Sequence, residues 1–163
     1  MPAGDEHLFY MKESLLRAPV RAVFAFHEAP DALERLLPPW DNTRVVRPPA
    51  SLAVGTVVEL EMRVGPIPIQ VEAVHTGYER DHFFEDTMRR GPFPYWRHRH
   101  VFEARRDGCL LRDEVEYDPP FGLLGRVLDP WLVRPRLEKM FTYRHEVTRR
   151  AVEKAAGEQS APA

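Results

Sequence analysis

The chain has 163 residues, of which 44% are hydrophobic, enough for one full core and too few for two comfortable ones. Its 23 Lys and Arg residues nearly balance its 25 Asp and Glu residues, and a net charge of -2 gives no overall attraction to nucleic acid or an anionic membrane. The single cysteine, Cys109, can form neither an internal disulfide nor a zinc site built on several thiolates, which fits a reducing cytoplasm.

No segment of the chain predicts a signal peptide or a membrane span. The first residues, MPAGDEHLFYMKESLL, are acidic where a signal peptide is basic. No run approaches the roughly 18 consecutive apolar residues of a spanning helix, since even residues 121–133 are interrupted by Arg126, Asp129 and Pro130. We expect a cytoplasmic protein without integral membrane association, present as a monomer or homodimer.

The N-terminal part predicts one strand and two short helices. Residues 7–17 favour a strand, in which Phe9, Met11 and Leu15 share one face. Pro19 suits a first helical turn, and an apolar stripe at three- and four-residue spacing follows it. A second helix over residues 31–37 has Asp31 as its expected cap, and two prolines end it.

From Trp40 onward, short β-rich segments alternate with glycine and proline, and the tight links predict an antiparallel meander. Gly65-Pro66 and Asp107-Gly108 are predicted hairpin turns. The six predicted strands cover residues 42–47, 56–64, 67–76, 81–90, 95–106 and 110–117.

A helical tail is predicted after Tyr117, reaching about Ala156. Asp129-Pro130 is expected to cap a fresh helical start, and Pro135 either lies in the first turns or kinks the helix. One face of this helix carries a stripe of mostly apolar residues, namely Leu137, Met140, Phe141, Arg144, Val147, Thr148 and Ala151.

These elements predict a single α+β domain over residues 7–156, with flexible tails at 1–6 and 157–163. The order is strand, two short helices, six strands and a long helix. An antiparallel sheet with one apolar face needs a cover, and the long helix with the two short ones is what the chain offers.

Five segments of the chain resemble the SRPBCC or START-like superfamily, which includes polyketide cyclases/dehydrases and birch-pollen-allergen relatives. Together they reach from about residue 7 to about residue 150. These segments are LLRAPVRAVFAFHEAPDALERLLPPW, FFEDTMRRGPFPYWRHRHVFEA, LLRDEVEYDPP, FGLLG and LEKMFTYRHEV. The resemblance implies a helix-grip fold, a curved antiparallel sheet of about seven strands wrapped around the C-terminal helix. It also implies a hydrophobic tunnel for lipids, polyketides, steroids or similar ligands, with enzymes in some branches only.

The segment from Tyr95 to Phe102 is the richest in chemistry. On strand parity, one face carries Trp96, His98, His100 and Phe102, and we expect it to point inward because its two aromatic residues are the largest apolar groups there. Two histidines at this spacing can chelate a metal, but they need a third ligand, which Asp86, Asp113 or Tyr117 supplies only in a suitable register. The sequence alone therefore assigns no metal and no other cofactor.

Asp86 and Asp113 each share a strand face with apolar residues. A buried carboxylate needs a donor, so both are expected to meet His98, His100, Arg144 or Tyr143 in an acid-imidazole network. Such a network can transfer protons, and it can equally set the sheet register or anchor a polar ligand group, which we favour. The candidate catalytic residues are His98, His100, Asp86 and Asp113.

Arg144 is unusual on an apolar stripe, because a guanidinium there needs a carboxylate, a ligand oxygen or a route to the surface. Trp40 and Phe93 are expected at the rim of a cavity. The candidate ligand-binding residues are Trp40, Phe84, Asp86, Met88, Phe93, Trp96, His98, His100, Asp113, Tyr117, Met140 and Arg144.

The leading hypothesis is a module that binds a hydrophobic or amphipathic small molecule between the sheet and the C-terminal helix. The alternatives are a cyclase, dehydratase or isomerase that uses the Asp-His network, and a non-catalytic domain that partners an enzyme. The sequence contains no GxSxG, GxxxxGK or GxGxxG motif, which disfavours covalent hydrolysis and nucleotide chemistry.

Overall fold

Seven strands form one antiparallel sheet in the order β1-β7-β6-β5-β4-β3-β2, in a computed structural model that describes residues 6–159. The strands are β1 Leu8–Leu16, β2 Thr43–Arg47, β3 Val57–Val64, β4 Ile67–Glu79, β5 Phe83–Arg90, β6 Tyr95–Arg105 and β7 Gly108–Asp118. The helices are α1 Val20–Glu28, α2 Ala32–Leu36, α3 Gly122–Leu132 and α4 Arg134–Gln159. The predicted α+β helix-grip architecture is confirmed.

Strands β2 to β7 follow one another through hairpins, and β1 joins the far side of β7. Tyr10 and Leu16 of β1 point to the core, whereas Phe9, Met11 and Leu15 lie on the other face and are about half exposed. The predicted strand is therefore correct, and the face shared by these three residues is the outer one.

Two local predictions need correction. Asp31 stands before α2, but its side chain makes no capping hydrogen bond and lies 3.8 Å from Arg35 instead. The β6-β7 hairpin turns at Arg106 and Asp107, because Arg105 already pairs with Gly108. Position 108 requires glycine because the backbone of Leu16 approaches it closely. Its φ is 147°, and a Cβ atom there would lie 1.9 Å from the carbonyl oxygen of Leu16.

The predicted helical start at Asp129-Pro130 is wrong, because both residues lie inside α3 and the break comes at Val133. The Asp129 carboxylate does not cap a helix; it accepts a 2.8 Å hydrogen bond from the buried hydroxyl of Tyr117. Pro135 is the second residue of α4, where its missing N–H costs no helical bond, as the first-turn interpretation expects.

The C-terminal helix is longer than predicted, since residues 157–159 continue α4. The rest of the predicted flexible tails, residues 1–5 and 160–163, lies outside the described residues. Within residues 6–159, no helix combines the length and apolar character needed to cross a membrane.

Two hydrophobic clusters occupy the inner face of the sheet. One gathers residues of β1, α1, β6 and β7 around Phe24, Phe102 and Leu111, and the other gathers Tyr117 and Phe141 with their neighbours. The register of β6 and β7 places Phe102 opposite Leu111 in the first cluster and Trp96 opposite Tyr117 in the second. Between them the same strands carry a polar layer.

Helix α4 packs against β1, α1, α2 and α3, so it lies over the β1 end of the inner face. Further along the sheet, the register places five residues on the same inner face, of which Val58 and Val71 are buried while Leu60, Ala73 and Met88 are only partly buried. The inner face thus has a filled end under α4 and a less covered end on β3 to β5.

Candidate functional site

The polar layer comes from three neighbouring strands. Asp86 of β5 pairs with His98 of β6, and His100 of β6 pairs with Asp113 of β7. Directly paired residues of an antiparallel sheet share a face, so all four side chains point inward. The predicted parity of Trp96, His98, His100 and Phe102 is the observed one, with His98, His100 and Phe102 buried.

Asp113 is the hub of this layer. Its Oδ1 accepts from Nε2 of His98 at 2.7 Å, and its Oδ2 accepts from Nε2 of His145 at 2.6 Å. Nδ1 of His100 lies 2.8 Å from Oδ1, but its N–H direction falls outside hydrogen-bond geometry. Burial opposes ionisation of Asp113, yet the three imidazoles hold its pKa well below the usual range, so the carboxylate is ionised.

His145 is a member of the network that sequence reasoning missed. It is 2% exposed, and its Nδ1 accepts from the Ser14 hydroxyl at 2.8 Å, which connects α4 to β1. The signal was present, because His145 lies four residues after Phe141 and eight after Leu137, on the buried stripe of α4.

The protonation of His98 follows from its contact with Asp113. An ionised carboxylate only accepts, so the Nε2 atom of His98 carries the proton and Nδ1 keeps a lone pair. That Nδ1 faces Asp86, with 3.7 Å to Oδ2. By the same argument the contact of His100 with Asp113 favours a proton on Nδ1, and the Nε2 atom of His100 lies 3.9 Å from the same oxygen of Asp86.

Burial lowers the pKa of His98, and burial together with the neighbouring His98 lowers the pKa of His100 to about 4. Burial also raises the pKa of Asp86. Both imidazoles are therefore neutral near pH 7, and their free nitrogens converge on one carboxyl group. Donor atoms of Asp86, His98 and His100 all lie within 4.8 Å of one another, which makes this trio a set of residues that could hold a metal ion.

Arg144 does not join the network through an ion pair. Among residues 6–159, no carboxylate lies within 4.0 Å of its guanidinium, whose Nε is buried without a hydrogen-bond partner. The guanidinium carbon stands 5.5 Å from the centroid of Phe141, and burial lowers the pKa of Arg144. Tyr143, the other expected partner, packs its ring against Trp40 at 5.1 Å instead.

The aromatic candidates separate into two groups. Phe84 stacks on His100 with 4.0 Å between ring centroids and forms a wall of the polar layer. At the other end of β6, the rings of Phe93 and Trp96 pack with 5.0 Å between their centroids. Tyr117 is fully buried, and its hydroxyl donates a hydrogen bond to Asp129. Met88 and Met140 are partly buried.

The described part of the chain has surface clefts on the side of Trp40 and β2. One of about 490 Å³ lies along residues 41–44, Glu61 and Arg63, and another, about 350 Å³, lies between Trp40 and α4. Of the predicted ligand-binding residues, only Trp40 lines one of these two clefts. The Nζ atom of Lys139 lies over its ring, 4.4 Å from the ring centroid. Neither cleft contains the Asp-His layer.

A curved antiparallel sheet, a long C-terminal helix packed against it and a buried polar layer between two apolar clusters define a helix-grip protein. Residues 16–141 match the family model for polyketide cyclase / dehydrase and lipid transport. The chain belongs to this family. No curated protein sequence matches it.

Solved structures agree on the fold. The di-domain ARO/CYC StfQ from the steffimycin biosynthetic pathway superposes with a TM-score of 0.74 at 15% identity, over 94% of this chain and 53% of that one. Ara h 8.0201 gives 0.67 at 15% identity, over 90% and 98% of the two chains. Norcoclaurine synthase from Thalictrum flavum gives 0.67 at 14% identity, over 91% and 96%.

Proposed function

We propose that the protein binds a hydrophobic or amphipathic small molecule between α4 and the less covered inner face of β3 to β5. The observation that carries the proposal is Arg144, a partly buried side chain whose Nε is buried without a hydrogen-bond partner and which forms no ion pair among the described residues. Family membership supports the same class of role, since the family is described by polyketide cyclisation and lipid transport.

A buried charge without a partner is costly, and the cost is removed when an acceptor oxygen reaches it. Arg144 stands in the field of Asp86, Asp113 and Asp41, which offsets part of its charge, but its Nε donor stays free. A ligand oxygen from a carboxylate, a phenolate or a carbonyl group can accept a hydrogen bond from this donor. We infer that the ligand is amphipathic and carries an oxygen at the end that reaches Arg144.

The remainder of the proposed site is apolar. Leu60, Ala73 and Met88 are partly buried on the sheet, and Met140 and Val147 are partly buried on α4. Apolar walls with one or two polar anchors are the usual composition of small-molecule sites. Side chains that keep part of their surface exposed in the free protein gain burial when a ligand covers them.

The proposed site is tested with Arg144→Met, and Arg136→Met is the matched control because Arg136 lies on the same helix with an exposed side chain and lines neither cleft. Native mass spectrometry of protein from its own host identifies bound molecules, and thermal shifts against a panel of lipids and polyketides rank them. Loss of one charge-assisted hydrogen bond predicts about 10- to 100-fold weaker binding by Arg144→Met. Absence of any ligand and of any stabilisation, or equal binding by both variants, would overturn the proposal.

A second candidate function is an interaction domain, because α3 exposes a large apolar surface. Phe121 is 86% exposed, Leu123 79% and Trp131 71%, and Leu124, Val127 and Leu132 are also exposed. Exposed apolar patches of this kind mark contact sites in many proteins. Pull-down experiments that compare the unaltered protein with Trp131→Ser test this role. The exposed Trp131 side chain is not among the residues proposed to line the ligand site, so the variant should leave ligand binding unchanged.

A further inference from the structure

Three donor atoms from two adjacent strands converge in the polar layer. Nδ1 of His98 and Nε2 of His100 lie 3.7 and 3.9 Å from Oδ2 of Asp86, beyond hydrogen-bond distance. Both lone pairs therefore point toward one carboxyl group to which they are not hydrogen-bonded. We propose that Asp86, His98 and His100 form a binding site for a divalent transition-metal ion.

The spacing suits a metal between the three atoms. In a tetrahedral zinc site with bonds of about 2.0–2.1 Å, neighbouring ligand atoms are about 3.4 Å apart. The two nitrogen–oxygen separations, 3.7 and 3.9 Å, exceed this value by a few tenths of an ångström, and the ligand atoms of the three residues all lie within 4.8 Å of one another. When an ion binds, rotations about the side-chain bonds of these residues would have to bring the three atoms closer.

The opposite side of the His98 imidazole is already held in place for metal binding, and that of His100 lies beside the same carboxylate. Nε2 of His98 donates to Asp113 at 2.7 Å, and Nδ1 of His100 lies 2.8 Å from the same oxygen. A carboxylate behind a metal-binding histidine fixes its tautomer and orientation, and Asp113 does so for His98 through its hydrogen bond. His145 holds the second oxygen of Asp113 at 2.6 Å and keeps this carboxylate in position.

The ligand set selects the kind of metal. Two imidazoles and one carboxylate suit zinc, iron, cobalt and similar first-row divalent ions, whereas Ca²⁺ and Mg²⁺ prefer sets made of oxygen. Three protein ligands leave at least one coordination position open. The Asp86 side chain is 20% exposed, against 4% for His98, so the open position faces the Asp86 side of the layer.

The test uses the metal alone and does not depend on the organic ligand. The full chain, stripped with a chelator, is titrated with Zn²⁺ by calorimetry and with Co²⁺ by visible absorption. We expect one ion per chain and d–d bands that report nitrogen and oxygen coordination. Removing an outer partner of a metal ligand costs about 10- to 100-fold in affinity, so Asp113→Asn should weaken binding by this factor.

The direct ligands should matter more than the outer partner. Asp86→Asn keeps the shape of the side chain, and His100→Gln removes one nitrogen ligand, so both should weaken Zn²⁺ binding more than Asp113→Asn does. His82→Gln is the matched control, because this exposed histidine of the β4-β5 turn is remote from the layer, and it should bind as the unaltered protein does.

Circular dichroism and thermal unfolding of the metal-free variants verify that they fold. If His100→Gln is unfolded, the Zn²⁺ affinity of the isosteric variant Asp86→Asn tests the direct ligands. Failure of the unaltered protein to take up an equivalent of Zn²⁺ or Co²⁺ would overturn the metal site. Equal affinity of Asp86→Asn and unaltered protein would overturn it as well. Ligand binding by the chelator-treated protein tests the proposed function separately, so either result can fail alone.

Discussion

His98 and Asp113 face each other from adjacent strands with 2.7 Å between Nε2 and Oδ1, and both side chains are almost completely buried. In the β6-β7 register, His98 pairs with Val115 and His100 pairs with Asp113. His98 and Asp113 are therefore diagonal neighbours on the inner face, close enough for their side chains to meet. A single ionised carboxylate thereby organises three imidazoles from β6 and α4.

Replacing Asp113 by Asn should destabilise the protein strongly, because three buried imidazoles lose their common acceptor charge. A hydrogen bond to a charged group contributes about 1.5–3 kcal/mol, and we expect the free energy of unfolding in urea to fall by at least this amount. Asp107→Asn, at the exposed β6-β7 turn, is the control and should stay within about 0.5 kcal/mol. A loss below about 1 kcal/mol for Asp113→Asn would contradict the role of a hub.

Stability should fall as the pH is lowered, in part through His27. Burial, with a smaller contribution from His100, lowers the pKa of His27 to about 3 in the folded protein, from 6.5. Between these two values the unfolded chain binds a proton that the folded chain does not, so stability is complete above pH 6.5 and declines toward pH 3.

The decline attributable to this one group approaches about 1.4 kcal/mol per pH unit. The free energy of unfolding, measured in urea between pH 7 and pH 4, should therefore fall less steeply with pH in His27→Gln than in the unaltered protein. The exposed control His82→Gln should show the same pH dependence as the unaltered protein. An identical slope in His27→Gln and the unaltered protein would be the contrary result.

Phe141 should be far more important for stability than Phe121. Phe141 is completely buried, with its ring 5.4 Å from Tyr10 and 5.1 Å from His98, whereas Phe121 is 86% exposed. Phe141→Ala should cost about 3–5 kcal/mol of unfolding free energy. The same substitution at Phe121 should change it by less than about 0.5 kcal/mol. Similar losses at the two positions would show that α3 is covered in solution.

Gly108 and Gly157 should respond to alanine in opposite directions. At Gly108 a Cβ would lie 1.9 Å from the carbonyl oxygen of Leu16, so β1 and β7 would have to separate locally. Gly157 lies in α4 with open space around it, and alanine there should stabilise by about 0.5–1 kcal/mol. Thermal unfolding of both variants measures the difference. A Gly108→Ala protein as stable as the parent would mean that the hairpin relaxes freely.

Most of the architecture was predictable because strands and helices leave local signatures. Alternating polarity located β6, and helical spacing located α4 through Leu137 and Phe141. The errors occurred where local chemistry offers several outcomes. Asp129 resembles a helix cap in sequence, but the nearby Tyr117 hydroxyl takes its carboxylate, and that partner lies 12 residues away.

The candidate site was only partly predictable for the same reason. Strand parity by itself placed His98, His100, Asp86 and Asp113 on inward faces, since side chains alternate along every strand. Tertiary structure decided the partners: the strand register brought Asp113 to His98, the docking of α4 added His145 and Ser14, and Arg144 was left without a carboxylate within ion-pair range among residues 6–159. Periodicity is a property of one element, whereas a contact between elements depends on register and docking, which no single segment encodes.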